Sequence, residues 1–228
     1  MIIKKVMKSI PFIGPLLRRI FRRSGNSHKS FQGSESYWKN RYETGGNSGD
    51  GSFNRLAEFK AEILNAFVAE HGITSVIEFG CGDGNQIRLT NFKKYTGFDI
   101  SPDAISRCLS HFSKDKTKTF KMMEEYRGET AELALSLDVI YHLIEDNIFM
   151  NYMSVLFSAA EKFVVIYSSD TDENPEGTAK HIRHRKFTKW LKSNQTEWRL
   201  MSHIPNKYPY SGDTKTGSFA DFYIYSKL

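Results

Sequence analysis

Apolar residues between positions 54 and 71 recur at intervals of three and four, as on one face of an α-helix. They are Leu56, Phe59, Ile63, Leu64, Phe67 and Val68. Gly72 follows this stripe, and glycine is a frequent residue just beyond a helix end. The pattern predicts a helix over residues 54–71, before the first strand of a sheet.

Strand-like and helix-like patterns then alternate along the chain. Short apolar runs predict strands at residues 75–79, 95–100, 119–123, 133–137 and 163–168. Helical patterns predict helices at residues 102–112, 146–160 and 186–193. Two closing strands, near 198–204 and 219–225, have no clear helix between them and predict an antiparallel hairpin. The alternation predicts an α/β fold with a central, mostly parallel seven-stranded sheet and helices on both faces.

The segments before the first long helix differ from the rest in composition. Residues 24–36 are polar and rich in serine and glycine, which is typical of a linker, and residues 37–42 predict a short helix. We therefore divide the chain into a tail at residues 1–23, a linker at 24–36 and one domain at 37–228. A domain of that size buries enough apolar surface to fold without disulfides or metals.

The positive charge is concentrated in the tail. The chain carries a net charge of +6, residues 1–23 contain seven Lys or Arg and no acid, and +6 − 7 leaves −1 for the remainder. The near-neutral domain argues against a nucleic-acid partner. Cys81 and Cys108 are the only cysteines, which argues against a disulfide framework or a zinc site and favours a reducing cytoplasm.

The tail has two interpretations. Its apolar residues recur at helical spacing with cations between them, yet the run from Ile10 to Leu17 is far shorter than the roughly 20 residues of a membrane span. One interpretation is an amphipathic segment that lies on an anionic membrane surface, which makes the protein peripheral at the inner face of the membrane. The other is a solubilising tail of a cytoplasmic protein.

A glycine-rich turn follows the first strand. Glu78 ends an apolar run, and glycines then occupy every second position. They are Gly80, Gly82 and Gly84. Glycine permits a sharp turn and close approach of the backbone to a ligand. The dinucleotide fingerprint G-x-G-x-x-G requires a glycine at position 85, where this chain has Asn85.

An acid at the end of the next strand supports a ligand-binding interpretation of the turn. Asp99 lies 99 − 78 = 21 residues after Glu78, a spacing at which a carboxylate binds ribose hydroxyls in nucleotide-binding folds. The alternative is a tight turn with a surface carboxylate.

The turn and Asp99 together resemble the first motif of Rossmann-like class I methyltransferases, E-x-G-x-G-x-G, which implies S-adenosylmethionine as cofactor. The resemblance implies that Glu78 and Gly80 face its methionine end, Asp99 its ribose, Ile100 the adenine face and Glu124 the adenine amine. It also implies further cofactor contacts, which are Cys81, Gly82, Leu137 and Asp138.

The segment after the fourth strand, LSLDVIYHLIED at residues 135–146, resembles the corresponding segment of many small-molecule methyltransferases. A hydroxyl acceptor must lose its proton, and a histidine is suited to remove it. His142 is therefore either a general base or a structural histidine. Asp170 either orients His142 or binds substrate hydroxyls. The acidic run at residues 170–173 predicts a solvated loop rather than a magnesium site, and we assign no metal ligand.

A cluster of cations follows the fifth strand, at residues 181–187. Guanidinium groups match phosphate and carboxylate groups, so the cluster indicates either recognition of an anionic acceptor or a charged helix start. The residues that we predict to bind the acceptor are Tyr141, His181, Arg183, His184 and Arg185.

From Ser36 onward the chain resembles bacterial methyltransferases that are often found with polysaccharide-assembly genes. The residues that carry this resemblance are Tyr37-Trp38, residues 45–49, residues 55–60, the two motifs above and residues 181–187. It implies O-methylation of a saccharide or a glycan-linked phosphate in surface polysaccharide biosynthesis. Methylation of another small molecule or a protein side chain, and a non-catalytic cofactor-binding scaffold, are the alternatives.

Overall fold

Helices α1 and α2 precede the sheet in the computed structural model, which describes residues 31–228. The predicted tail and its membrane interpretation lie outside these residues. Helix α1 spans Ser34–Glu43 and so includes the last residues of the predicted linker. Helix α2 spans Asn54–Glu70, close to its predicted bounds. None of the helices within residues 31–228 is both long and apolar enough to cross a membrane.

Seven strands form one mixed sheet, as predicted. The strands are β1 Ser75–Phe79, β2 Lys94–Asp99, β3 Lys118–Met122, β4 Ala131–Leu137, β5 Ala160–Ser168, β6 Trp198–Ile204 and β7 Asp221–Lys227. Their order is β3-β2-β1-β4-β5-β7-β6, with β1 to β5 parallel and β7 antiparallel to both of its neighbours. The closing hairpin therefore places its second strand, β7, against the parallel sheet and leaves β6 at the edge.

Helices cover both faces of the sheet because neighbouring strand residues point to opposite sides. Val76 packs with residues of α2 and with α3, Pro102–His111, whereas Ile77 packs with α4, Asp146–Ser158, and α5, Phe187–Asn194. Strand β4 is buried along nearly its whole length, which explains its continuous apolar run.

The chain reverses direction across the sheet at β1. It proceeds outward from β1 to β2 and β3, and then returns to β4 on the other side of β1. In open α/β sheets a crevice forms at such a point, beyond the carboxyl ends of the strands. The turn after β1 and the segments after β2 and β4 lie at this edge.

Candidate active site

The turn after β1 requires glycine in its backbone geometry. Gly80 and Gly82 have φ angles of +86° and +56°, a region that other residues rarely adopt. A Cβ at Gly80 would lie 2.5 Å from Cγ2 of Val139, and one at Gly82 would lie 2.6 Å from Oγ of Ser48. The backbone is thus packed directly against the segments that follow β4 and α1.

Asp99 anchors this turn and retains the capacity to bind a ligand. Its Oδ2 accepts a hydrogen bond from the backbone N–H of Gly82 at 2.9 Å, and its Oδ1 accepts one from Ser101 at 2.8 Å. Burial raises the pKa of Asp99, and the backbone hydrogen bonds oppose that effect. Because each carboxylate oxygen has a second lone pair, Asp99 can still accept hydrogen bonds from two hydroxyl groups.

Glu78 lies beneath the turn and is only 2% exposed. Its Oε2 accepts a hydrogen bond of 2.6 Å from the Tyr95 hydroxyl. Burial raises the pKa of Glu78 to about 7, although Tyr95 and Lys60 each favour the charged form. The carboxyl group is therefore poised to ionise fully when a cation binds beside it.

Lys60 forms a buried ion pair that was not predicted from the sequence. Its Nζ lies 2.5 Å from Oδ2 of Asp138, and the hydroxyl of Tyr141 donates to Oδ1 of the same carboxylate at 2.7 Å. A sequence signal existed, because Lys60 falls four residues after Leu56 and four before Leu64 on the apolar face of α2. A lysine on a buried helix face indicates a buried partner.

A cavity of about 340 Å³ opens at this edge of the sheet. The predicted cofactor residues line it, with the exception of Glu124. These lining residues are Glu78, Gly80, Cys81, Gly82, Asp99, Ile100, Leu137 and Asp138. Glu124 is exposed, and the adjacent Met123 lines the cavity instead, because the short helical turn Met123–Glu125 directs the two side chains differently.

Helix α1 and the loop that follows it cover the cavity. Trp38, Tyr42 and Ser48 line it from this side, and the ring of Trp38 meets that of His142 edge-on at 4.7 Å between centroids. Ser48 donates to Asp83 at 2.6 Å and so ties the loop to the glycine turn. In the sequence, Trp38 and residues 45–49 carry part of the family resemblance, and their contacts with the cavity were not predicted.

His142 lines the cavity and is held in one tautomer. Its Nδ1 lies 2.9 Å from the backbone carbonyl of His181, which can only accept a hydrogen bond, so Nδ1 carries the proton and Nε2 carries the lone pair. Burial lowers the pKa of His142 to about 4. The imidazole is therefore a neutral acceptor at physiological pH.

Asp170 neither orients His142 nor lies where it could bind substrate hydroxyls in the cavity. Its carboxylate accepts hydrogen bonds from the backbone N–H and the hydroxyl of Thr188, at 3.0 and 2.7 Å, and so caps the first turn of α5. Asp170 does not line the cavity, and His181 rather than Asp170 orients His142. Within residues 31–228 no group of three His, Cys, Asp or Glu side chains is arranged to hold a metal ion.

The two predicted acceptor-binding arginines hold the connection between β4 and α4. Arg183 donates to the carbonyl of Ile144 at 2.8 Å and pairs with Asp146 at 2.9 Å. Arg185 is only 8% exposed, pairs with Asp146 at 2.8 Å and donates to the carbonyls of Leu143 and Ile144. Neither guanidinium group lines the cavity.

The other predicted acceptor-binding residues, Tyr141, His181 and His184, do not line the cavity either. Tyr141 is buried with its hydroxyl on Asp138, and the ring of His181 stacks on that of His142 at 5.5 Å. His184 shares a hydrogen bond of 2.7 Å with Ser169. The structure thus places Tyr141 and His181 against the ring of His142, whereas other residues form the cavity wall.

A family model described as a methyltransferase domain matches residues 39–208. The chain belongs to this family. The matched segment includes the glycine turn, Asp99 and His142, so it contains most of the residues that line the cavity. Together with the fold, this makes the chain a class I S-adenosylmethionine-dependent methyltransferase.

Solved methyltransferase structures share the fold at low sequence identity. The methyltransferase domain of bacterial CtHen1-C is 18% identical, with a TM-score of 0.60 over 76% of this chain and 99% of that chain. The N-methyltransferase NodS from Bradyrhizobium japonicum, in complex with S-adenosyl-L-homocysteine, is 12% identical, with a TM-score of 0.63 over 86% and 99%. Magnesium protoporphyrin IX methyltransferase from Synechocystis, with bound S-adenosylmethionine, is 14% identical, with a TM-score of 0.60 over 86% and 97%. No curated protein matches the chain in sequence.

The cavity fits S-adenosylmethionine, the cofactor of this family. Its lining includes four carboxylates and one lysine, an excess of negative charge that complements a sulfonium ion. Glycines without Cβ atoms form one wall, and Asp99 offers acceptors to a ribose. Apolar side chains from both faces of the sheet edge complete the cavity, and they include Phe98, Met123 and Leu137.

Proposed function

We propose that this methyltransferase methylates a hydroxyl oxygen of a saccharide acceptor in surface polysaccharide biosynthesis, with His142 as general base. The observation that carries the proposal is the neutral imidazole of His142 at the cavity, with its tautomer set by the His181 carbonyl. A hydroxyl is a weak nucleophile until its proton is accepted, whereas an amine acceptor with a free lone pair needs no such base.

The cofactor, when bound, supplies a methyl group on a sulfonium, which is a good leaving group. The chain must then hold the cofactor, place the acceptor and accept its proton. Asp99 would hold the ribose, Glu78 would face the methionine end, and Met123 with Ile100 would enclose the adenine. All four residues line the cavity, and they lie in or directly after β1, β2 and β3.

His142 would accept the acceptor's proton through Nε2. Its low pKa means that the imidazole is neutral over the whole physiological range, and the hydrogen bond to His181 favours the charge that develops on the ring. The ring contacts with Trp38 and His181 restrict its rotation. A fixed base beside the donor methyl group is what hydroxyl methylation requires.

The acceptor end of the cavity favours an uncharged, ring-shaped molecule. Arg183 and Arg185 are engaged elsewhere, and within residues 31–228 the only cation that lines the cavity is Lys60, which lies on the wall formed by α2. Trp38 offers a half-buried aromatic surface in the cavity lining, and sugar rings bury their C–H faces well against such surfaces. These features support a neutral saccharide over a glycan-linked phosphate.

Two substitutions of His142 separate its hydrogen bond from its base. In His142→Asn the side-chain amide N–H can replace Nδ1 on the His181 carbonyl while the Nε2 lone pair is lost. We expect unchanged affinity for S-adenosylhomocysteine and a turnover about 10²–10⁴-fold lower. The matched control is His142→Gln, whose amide places a polar group near the position of Nε2 but cannot act as a base. We therefore expect a loss of turnover comparable to that of His142→Asn.

The assay measures S-adenosylhomocysteine formed with a panel of nucleotide sugars and glycan fragments, and calorimetry measures its binding. Wild-type turnover in the His142 variants would refute the base assignment. Failure of every saccharide, with methylation of a protein or of another small molecule, would refute the acceptor class while leaving the methyltransferase activity intact.

A further inference from the structure

Two polar side chains of the cavity have no role in the function described so far, and both are held by helix α2. Lys60 lies on the buried face of α2 and lines the cavity. Gln86, 6% exposed, follows the glycine turn and also lines the cavity. Its Nε2 donates to the carbonyl of Ala57 at 3.0 Å, less than one helical turn from Lys60. The two side chains therefore share one wall.

Gln86 presents a buried acceptor without a donor. A carbonyl only accepts hydrogen bonds, so the contact with Ala57 fixes the amide with its nitrogen on α2 and its Oε1 as the free end. Within residues 31–228, Oε1 is buried and has no hydrogen-bond partner. Buried polar atoms are nearly always paired in folded proteins. An unpaired acceptor in a cavity wall indicates that a ligand supplies the donor.

Lys60 has spare donor capacity. Its ammonium carries three N–H groups, and among residues 31–228 its hydrogen-bond acceptor is Oδ2 of Asp138. The ring of Tyr167 lies 5.1 Å from Nζ and interacts with a second face of the ammonium. Asp138 is also bound by Tyr141 and so remains in place as the counter-ion. Lys60 can therefore bind a further anionic group without losing its partner.

We propose that Lys60 and Gln86 form, with Glu78, the subsite for the amino-acid end of the cofactor. Lys60 binds the α-carboxylate, and Oε1 of Gln86 accepts a hydrogen bond from the α-ammonium beside the Glu78 carboxylate. The wall offers one cation and two acceptors, which complements a zwitterion of one carboxylate and one ammonium. Helix α2 thereby helps to bind the amino-acid end of the cofactor, which takes no part in the reaction. This assignment does not depend on the identity of the acceptor or on the role of His142.

Three adenosyl ligands distinguish the contact of Lys60 with the carboxylate from the contact of Gln86 with the ammonium. S-adenosylmethionine has both charged groups, decarboxylated S-adenosylmethionine keeps only the ammonium, and 5′-methylthioadenosine has neither. Calorimetry on the full chain measures their dissociation constants. Truncation of one partner of a buried charge pair typically weakens binding by well over tenfold, so the wild-type protein should bind decarboxylated S-adenosylmethionine at least about 10-fold more weakly than S-adenosylmethionine.

The variant Lys60→Met should remove the difference between the dissociation constants of decarboxylated S-adenosylmethionine and S-adenosylmethionine. Because it leaves Asp138 buried without a counter-ion, the double variant Lys60→Met, Asp138→Asn removes both charges and protects the fold. In either variant the two sulfonium ligands should bind about equally, while 5′-methylthioadenosine binds as in the wild type. Gln86→Leu should weaken both sulfonium ligands by the same factor, about 10-fold, and again spare 5′-methylthioadenosine.

Binding of 5′-methylthioadenosine serves as the internal control for folding. If the ratio between the two sulfonium ligands stays at its wild-type value in the double variant, Lys60 does not bind the carboxylate. If Gln86→Leu leaves all three affinities unchanged, its Oε1 does not meet the ammonium. If the variants weaken all three ligands in proportion, the two residues support the fold and the proposed subsite is refuted.

Discussion

Replacing Glu78 by glutamine should make the ligand-free protein more stable above neutral pH and weaken its binding of the cofactor. Glu78 is 2% exposed, and its burial raises its pKa from the ordinary 4.5 to about 7. A raised pKa means that the folded state binds the proton more tightly than the unfolded chain does. Ionised Glu78 therefore costs stability, and glutamine, which keeps an acceptor for the Tyr95 hydroxyl, avoids that cost.

The size of the effect follows from the shift. A shift from 4.5 to about 7 is worth about 3 kcal/mol, at 1.36 kcal/mol for each pKa unit. The cost is absent below the unfolded pKa, grows as pH rises from 4.5 to 7 and is complete above the folded pKa. For a domain of this size about 3 kcal/mol corresponds to a difference in Tm of about 6–12 °C at pH 8. Near pH 4.5 the difference should vanish.

Denaturation of both proteins by urea and by heat, from pH 4.5 to pH 8.5, measures this difference. Glu132→Gln is the matched control, because Lys162 and Thr74 hold the pKa of Glu132 at about 2 and the expected sign is opposite. That variant should be less stable than the wild type at neutral pH. A stability gap between Glu78→Gln and the wild type that does not change with pH would refute the reasoning.

The other predictions concern catalysis, the glycine turn and the basic cluster. The kcat at saturating cofactor and acceptor should fall only below about pH 5, because the pKa of His142 is about 4, and an acid limb of kcat near pH 6.5 would contradict its burial. Gly80→Ala should lower both the stability and the affinity for S-adenosylhomocysteine more than Gly128→Ala does. Both glycines have a positive φ, but only at Gly80 would the added Cβ lie 2.5 Å from a side-chain atom of Val139. Equal losses of the two variants in thermal denaturation and calorimetry would contradict this packing. Arg185→Met should lower the free energy of unfolding in urea by about 1–3 kcal/mol without weakening cofactor binding, because the carbonyls of Leu143 and Ile144 lose a donor. A stable variant with a raised acceptor KM would restore Arg185 to substrate binding.

The local patterns of the sequence were sufficient for the elements and their order. Alternation of apolar runs predicted all seven strands, because periodicity and glycine position are local properties that the fold preserves. The spacing of Glu78, the glycines and Asp99 predicted one wall of the cavity, since the ends of adjacent parallel strands necessarily meet at one edge. Errors in these elements were confined to their ends: β5, for example, begins at Ala160 and shortens the preceding helix.

Partners of polar side chains far apart in the chain were decided only by the tertiary structure. Arg183 and Arg185 looked available for an anionic acceptor, yet carbonyl oxygens some 40 residues upstream bind them. Lys60 lies within the apolar stripe of a helix, and its ion-pair partner, Asp138, is 78 residues away in the sequence. Charge and hydrogen-bonding capacity belong to the residue and can be read from the sequence, whereas the partner that satisfies them is set by which elements pack together. The sequence alone thus predicts the cofactor-binding turn, but only the tertiary structure determines which charged groups remain free to bind a ligand.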